Sequence, residues 1–315
     1  MSGVSNSGAL NNGVSHADPC PFHAGELRAQ ALAGGGASGS AIRDFMPEQH
    51  RAFFAAQRFL LLAACDDEGW PAVTAVSGSP GFASSPDAHR LRLAPAPDPG
   101  DPVRPLLRPG RQAGLLGIDF ATRRRNRANG VIAGVDGDGI LIAVRQSFGN
   151  CPKYIQPRVL REAPPADAAD APPEYFTGLD RQAGDRIARA DTFFVGTSAG
   201  SADGGVDVSH RGGPAGFIRI DGDTLTVPDF RGNRYFNTLG NLLLEPRAAL
   251  LFIDFSNGGL LHLQGSTELL WDADAARDFP GAERLWRFHA ERGGRRRGAL
   301  PLRWQAPPQP ASRPS

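Results

Sequence analysis

The chain has 315 residues, enough to bury a substantial core in one large or two ordinary domains. Its 34 Lys and Arg residues nearly balance 33 Asp and Glu residues, which gives a net charge of +1. Nucleic-acid binders and proteins that adhere to membrane surfaces usually carry a clear basic excess. The composition therefore predicts neither a nucleic-acid partner nor a membrane partner.

Targeting and metal-binding signals are also absent from the sequence. The amino terminus has no charged n-region followed by an apolar h-region, and no apolar run approaches 18 residues. Three widely spaced cysteines, Cys20, Cys65 and Cys151, form neither a disulfide framework nor a zinc-type pair. We expect a cytoplasmic protein without a metal site.

Residues 1–40, rich in Gly, Ser, Ala and Asn, are predicted to be a flexible segment, although the part from Cys20 to Glu26 could dock on the body. A helix is predicted after Pro47. Short strand-like runs then alternate with turns, including an Asp136–Gly139 hairpin. Many short strands with few helices favour an antiparallel barrel over residues 41–160.

A Pro- and Ala-rich linker is predicted over residues 161–178. A second barrel follows over residues 179–272; it opens with a helix near Leu179–Ala190 and contains a hairpin at Asp221–Gly222. Residues 273–315 are predicted to form a helical segment and a mobile Pro/Arg tail.

The two halves repeat each other. G-L-L-G-I-D-F ends at Phe120 and A-L-L-F-I-D-F ends at Phe255, while G-S-P-G-F ends at Phe82 and G-P-A-G-F ends at Phe217. Both pairs lie 135 residues apart (255 − 120 and 217 − 82). Two copies are too few for a solenoid, so we predict two barrels packed as an internal pseudo-dimer.

The copies differ in their polar segments. The second contains R-G-N-R-Y-F-N-T-L-G-N at residues 231–241, where the first has a proline-rich run at residues 96–109 that offers few backbone donors. The first copy instead ends in Q-S-F-G-N-C-P-K-Y-I-Q-P-R at residues 146–158. The two specialised segments are complementary, which predicts one composite site between the barrels.

At these residues the sequence resembles the pyridoxamine 5'-phosphate oxidase-like, FMN-binding split-barrel superfamily, in particular its tandem-barrel flavin-nucleotide-binding branch. The motifs are D-V-S-H-R-G-G-P-A-G-F, P-D-F-R-G-N-R-Y-F-N-T-L-G-N, L-L-F-I-D-F, T-R-R-R-N-R-A-N-G and F-G-N-C-P-K-Y-I-Q. The resemblance implies a mainly β fold with flanking helices: two tandem split β-barrels that form an intramolecular pseudo-dimer and bind FMN between them.

The resemblance also implies site residues. Ser209 and Arg211 would lie near the flavin ring or ribityl chain, and Lys153 would reach across from the first barrel with its neighbours Asn150, Tyr154 and Gln156. The phosphate side would be formed by Asn233, Asn237, Thr238 and Asn241. Arg231 is a further candidate cation for the phosphate, with Arg211 and Arg234.

Two residues are candidates for catalysis. Lys153 could stabilise negative charge on a reduced flavin, and His210 could donate a proton to a substrate. Structural alternatives remain open: the Asn and Gly residues could only form turns and a helix cap, Lys153 could be a surface residue, and His210 could be a hydrogen-bonded structural histidine. The run Arg123–Arg127 could bind an anion, although a strand would divide its members between two faces.

The predicted function is that of an FMN-dependent oxidoreductase acting on a small molecule that the sequence does not identify. Some relatives continue into a reductase-like module that does not follow in this sequence, which leaves the electron donor open; a separate reductase is one candidate. The alternative is a non-catalytic protein that stores or senses flavin or haem, with His210 or His262 as haem ligand. A scaffold that has lost its cofactor is a third hypothesis.

Overall fold

The computed structural model describes residues 20–162, 171–200, 205–272 and 274–307. The helices are α1 (Ala24–Leu32), α2 (Glu48–Ala55), α3 (Arg181–Arg189) and α4 (Asn237–Leu244). The strands up to the linker are β1 (Phe59–Cys65), β2 (Pro71–Ser77), β3 (Ala83–Asp87), β4 (Arg90–Leu93), β5 (Gln112–Asp119), β6 (Arg124–Val135), β7 (Ile140–Gly149) and β8 (Val159–Glu162). Those after it are β9 (Glu174–Thr177), β10 (Thr192–Ser198), β11 (Val206–Gly212), β12 (Arg219–Asp221), β13 (Thr224–Phe230), β14 (Arg247–Ile253), β15 (Leu260–Leu270), β16 (Ala282–Arg296) and β17 (Leu302–Gln305).

The two halves have the same topology. Their sheets follow the orders β2-β1-β5-β6-β7-β4-β3 and β11-β10-β14-β15-β16-β13-β12, and every pairing within them is antiparallel. Each strand of the first copy has its counterpart at the same place in the second. The prediction of a mainly β protein built from two tandem split barrels is confirmed.

The central strands are buried on both faces because they serve two cores. In β1, Leu60 and Leu62 face the core of the first barrel, whereas Leu61 and Ala63 face a third core between the barrels. Phe194 of β10 joins that shared core from the second barrel. A strand covered on both sides reads as a continuous apolar run, which is how these segments appear in the sequence.

The barrels approach closely where β5 meets β11. A Cβ atom added to Gly114 would lie 2.3 Å from the backbone oxygen of Val206, so only glycine permits this approach. No side chain of any size can be accommodated there without separating the two strands.

We therefore expect Gly114→Ala to lower the free energy of unfolding by about 1–3 kcal/mol, because overpacking a filled interface costs this much. The matched control is Gly134→Ala in the adjacent strand β6, where an added Cβ would contact no atom within 4 Å. Urea denaturation should give a lower midpoint for the first variant and an unchanged or higher one for the second. Equal midpoints would contradict this account of the interface.

The prediction of a flexible segment up to residue 40 is wrong for the described residues from Cys20 onwards. His23 and Glu26 form a reciprocal capping box that starts α1, and the helix packs on α4. Gly25 and Gly240 allow the two helices to touch, since a Cβ on Gly25 would lie 2.2 Å from the Gly240 oxygen. The predicted docking of this segment is confirmed, and residues 1–19 lie outside the described part.

The helical segment predicted after residue 272 is also wrong. Residues 282–296 form β16, which pairs with β13 and β15 and completes the second barrel, and β17 pairs with β8. Alternation of buried Trp286, Phe288 and Ala290 with exposed Arg287, His289 and Glu291 fits a strand. The segment predicted as a mobile tail is structured up to residue 307, and Arg296 within it forms an ion pair with Asp101 at 2.6 Å. Residues 308–315 lie outside the described part.

The predicted linker contains structure at both ends. Residues 159–162 form β8 and residues 174–177 form β9, which pairs with β16. The predicted helices after Pro47 and near Leu179–Ala190, and both predicted hairpins, are confirmed. Among the described residues, no helix has the length and apolar character needed to cross a membrane.

Candidate functional site

A polar cleft lies between the barrels beside the N-terminus of α4. The first barrel contributes Arg125 and Arg127 from β6 and two residues beyond β7, Asn150 and Tyr154. The second contributes β11, the end of β13 and the loop that leads into α4. The residues from this side with polar side chains are Ser209, His210, Arg211, Asp229, Asn233, Arg234, Asn237, Thr238, Glu283 and Arg284.

The N-terminus of α4 opens onto this cleft. Phe236, which precedes the helix, has a left-handed backbone (φ 62°) and makes no side-chain cap. The first N–H groups of a helix have no intrahelical acceptor, and the helix dipole adds partial positive charge at this end. Asn237, Thr238 and Leu239 line the cleft at that point. Such a terminus favours a phosphate group.

A buried polar network lies beneath the cleft and joins the two barrels. Its centre is Asp207 on β11, which accepts hydrogen bonds from Arg127 (2.9 Å) and Asn129 (2.7 Å) of the first barrel. Asn241 of α4 donates to the other carboxylate oxygen at 3.1 Å. Arg127 also donates to the Ser209 hydroxyl. The network fixes the side chains that form the floor of the cleft.

Arg125 and His210 form a second inter-barrel pair. A guanidinium nitrogen of Arg125 donates to Nδ1 of His210 at 2.9 Å, so the imidazole carries its proton on Nε2. Burial and the neighbouring Arg125 and Arg211 hold the pKa of His210 well below 6.5, and the ring is neutral. The buried Nε2 of His210 and Nε of Arg125 have no partner in the described structure. Both are donors available to a ligand.

The charge of the cleft is positive. Asp229 is shared between Arg211 (2.6 Å) and Arg284 (2.7 Å), and Arg284 also pairs with Glu283 at 3.1 Å, so the charges of this cluster balance and the excess comes from Arg125 and Arg234. Arg125 has no carboxylate partner among the described residues, and burial lowers its pKa to about 10, still well above neutral pH. With Asp207 included, the net charge of the cleft is about +2, from five arginines (Arg125, Arg127, Arg211, Arg234 and Arg284) and three carboxylates (Asp207, Asp229 and Glu283).

Tyr154 crosses from the first barrel to the second at the mouth of the cleft. Its ring stacks on Phe230 with centroids 5.2 Å apart, and its hydroxyl donates to the Arg231 carbonyl at 3.2 Å. Its backbone is left-handed (φ 64°). The segment after β7 is therefore held against the second barrel, as a composite site requires.

The structure brings most of the predicted site residues together. Nine of them line the cleft: Asn150, Tyr154, Ser209, His210, Arg211, Asn233, Arg234, Asn237 and Thr238. Four do not. Lys153 and Arg231 are exposed, Gln156 donates to the Gly213 carbonyl at 3.3 Å, and Asn241 lies fully buried in the Asp207 network. Their predicted roles in binding or catalysis stay predictions.

Sequence reasoning included Arg125 and Arg127 only in a run that could bind an anion, and it assigned no role to three further charged residues of the cleft and its floor, Asp207, Asp229 and Arg284. One signal was present in the arginine run, because alternation along β6 places Arg125 and Arg127 on the same face. Arg124 lies on the opposite face, over the ring of Phe53. Arg284 and Asp229 are 55 residues apart and meet only through the pairing of β13 with β16.

The fold places a positively charged cleft between two split barrels. Residues 179–303 match the family model described as pyridoxamine 5'-phosphate oxidase. The resemblance predicted from the motifs is confirmed in the second copy, which contributes β11, β13 and α4 to the cleft. No curated protein matches the chain.

Solved structures with a similar fold include HupZ from Group A Streptococcus (16% identity, TM-score 0.30), which matches over 36% of this chain and 91% of its own. A FAD-binding protein from Mesorhizobium loti has 15% identity and a TM-score of 0.28, over 39% of this chain and 96% of its own. The FAD binding protein from Mycobacterium smegmatis has 14% identity and a TM-score of 0.27, over 39% and 99%.

Proposed function

We propose that the protein is an FMN-dependent oxidoreductase with one cofactor site, in the cleft between the two barrels. The observation that carries the proposal is the positive donor set of this cleft, which both barrels build. A phosphate monoester such as that of FMN carries close to two negative charges near pH 7, and the net charge of the cleft is about +2.

The cleft residues fit this group. Arg125 Nε and His210 Nε2 are buried donors without partners, and α4 presents an uncapped N-terminus beside them. Arg211, Asn233 and Thr238 would hold the phosphate together with that terminus, while Arg125 and His210 would face the rest of the cofactor. Tyr154 would cover it from the first barrel. The first copy has only a three-residue 3-10 helix, Arg104–Leu106, in the place of α4, so no equivalent phosphate site is expected there.

When bound, FMN would supply reversible two-electron transfer. The protein would fix its orientation and supply charge. Because His210 is neutral and holds its proton on Nε2, it would act as a hydrogen-bond donor; its low pKa makes it poorly suited to deliver a proton as imidazolium. Arg125 remains charged and would stabilise negative charge that develops nearby.

We expect Arg125→Gln to weaken FMN binding about 10- to 100-fold, since hydrogen bonds from charged donors contribute about 1.5–3 kcal/mol. Arg277→Gln is the control, because Arg277 is 77% exposed, pairs with Asp274 at 2.7 Å and does not line the cleft; the FMN affinity of this variant should stay within about twofold of the parent. Isothermal titration with FMN gives both values, and the visible spectrum reports the bound flavin.

Protein that stays colourless in excess FMN and gives no heat of binding would overturn the proposal. The haem alternative predicts a Soret band on addition of haemin. His210 is unsuited as its ligand, since Nδ1 accepts from Arg125 and Nε2 carries the proton.

A further inference from the structure

A second cleft lies between the barrels at the position related to the first by the internal repeat. It is lined by β2, β14, β15 and β16, together with Pro102 and the segment that contains β9. The strand pairings show which residues of the two clefts correspond. His262 takes the place of Arg127, since their partners Leu251 and Leu116 are equivalent. Gln264 takes the place of Asn129, since their partners Ala249 and Gly114 are equivalent. The second cleft therefore has a histidine, His262, where the first has an arginine, Arg127.

The chemistry of the second cleft is different. Asp207 and Ser209 of the first cleft correspond to Ala72 and Thr74, and Arg125 corresponds to Leu260. The walls are mostly apolar, with Val73, Leu250, Leu263 and Phe176 among them. Arg296 also lines this cleft but pairs with Asp98 at 2.8 Å and Asp101 at 2.6 Å, so Arg292 is the one cation without a carboxylate partner among the described lining residues. One exposed cation suits a single carboxylate better than a phosphate.

The cleft exists because a large side chain of the first copy has no counterpart in the second. Phe148 pairs with Arg127 and fills the space above it, with the guanidinium 5.4 Å from the ring centre. The residue at the same place in the second copy is Gly294, which pairs with His262. A Cβ added to Gly294 would lie 3.2 Å from the ring of Tyr175 on β9, which covers part of this place, and a cavity of about 240 Å³ remains beside His262.

His262 presents one defined polar atom in these apolar surroundings. Its Nδ1 donates to the Val73 carbonyl at 3.0 Å, so Nε2 carries the lone pair. That Nε2 is buried and has no partner in the described structure. Desolvation lowers the pKa of the ring, which keeps this lone pair free at neutral pH. A ligand with an O–H or N–H donor would satisfy it.

Arg292 supplies a positive charge at the exposed end of the same face. It pairs with Gln264, two residues along β15 from His262, and such diagonal neighbours on adjacent strands lie about 7–8 Å apart. Its Nε donates to Gln264 at 2.8 Å, its guanidinium lies 4.8 Å from the ring centre of Trp70, and no carboxylate pairs with it in the described structure. A single aromatic ring with substituents at opposite ends can bridge this distance.

We propose that this second cleft binds a small aromatic acid, with its carboxylate on Arg292, its ring against the apolar walls and a hydroxyl donating to His262. The site is separate from the FMN cleft and does not depend on the proposed function. Tyr175, 75% exposed on β9 next to Gly294, provides an aromatic surface at its edge.

The test uses the full-length protein and isothermal titration with 4-hydroxybenzoate, benzoate and phenol. We expect saturable binding of 4-hydroxybenzoate, and about 10-fold or more weaker binding of benzoate, which leaves the His262 lone pair unsatisfied, and of phenol, which lacks the charge. This ligand series tests the buried histidine without a substitution that could impair folding. Saturating FMN should leave the affinity for 4-hydroxybenzoate unchanged.

Arg292→Gln should weaken 4-hydroxybenzoate binding about 10-fold or more and leave phenol binding unchanged. Arg287→Gln is the matched control, because Arg287 lies on the same strand but pairs with Glu268 at 3.0 Å outside the cleft. No saturable binding at millimolar 4-hydroxybenzoate, equal affinities for the three ligands, or an Arg292→Gln variant with unchanged affinity would overturn the proposal. A haemin Soret band in protein that does not bind 4-hydroxybenzoate would also overturn it.

Discussion

Asp207→Ala is expected to lower the free energy of unfolding by about 3–5 kcal/mol, because it leaves the buried Arg127 without its counter-ion. Both side chains are only 7% exposed, and the carboxylate also accepts from Asn129 and Asn241. These bonds join strands of both barrels to α4. Urea denaturation followed by circular dichroism measures the change.

The control for this variant is Asp278→Ala, since Asp278 is 74% exposed and lies 3.7 Å from Arg219. Its removal should cost at most about 1 kcal/mol. A double variant, Arg127→Met with Asp207→Leu, removes both charges and should recover much of the lost stability, because a buried ion pair is often replaceable by apolar side chains. If Asp207→Ala and Asp278→Ala unfold at the same denaturant concentration, the network does not hold the barrels together.

The free energy of unfolding should fall as the pH rises from about 4.5 to 7, because of the buried carboxyl group of Glu26. Burial, and then the nearby charge of Asp207, raises the pKa of Glu26 from 4.5 to about 7 in the folded protein. Between these values the folded state holds a proton that the unfolded chain has lost, so each pH unit costs up to about 1.4 kcal/mol. Above pH 7 the full penalty, about 3 kcal/mol, is present.

Glu26→Gln tests this effect, because glutamine resembles the protonated acid and can still accept from Asn237. The variant should be about 3 kcal/mol more stable than the parent at pH 8 and nearly equal to it at pH 5. Denaturation curves across this pH range provide the comparison. Parallel pH profiles for the two proteins would show that Glu26 does not titrate in this way. Since α1 packs on α4, protease sensitivity of α1 should increase with pH in the parent only.

Local and repeated features of the fold were predictable from the sequence. The equal spacing of the Phe82, Phe120, Phe217 and Phe255 motifs revealed two copies, and the identical strand orders confirm them. Both hairpins follow from two short Asp-Gly signals, which depend on neighbouring residues alone. The predicted helix after residue 272 failed because apolar residues of a long strand buried on one face can also fit a helical period over short windows.

The candidate site was predictable in part, because some of its residues lie in local sequence motifs. Ser209, Thr238 and Asn233 lie in motifs that a reader can find in the sequence. Arg284 lies in an ordinary strand segment, and only the pairing of β13 with β16 brings it to the cleft. Asp207 opens the D-V-S-H-R motif, but the motif does not reveal its partners Arg127 and Asn129.

Local patterns along the chain were enough to predict the two copies, the short strands and the unequal polar segments, because turn residues and hydrophobic alternation act over a few neighbouring positions. The packing of the barrels alone decided which charges meet. Arg125 contacts His210 across 85 residues and Arg127 contacts Asp207 across 80, so neither pairing leaves a local pattern. The two related clefts also differ in a way that only the tertiary structure shows: one is positive and lies beside α4, and the other is apolar and lies beside His262. Phe148 of the first copy and Gly294 of the second are equivalent only by strand register, which the sequence does not reveal.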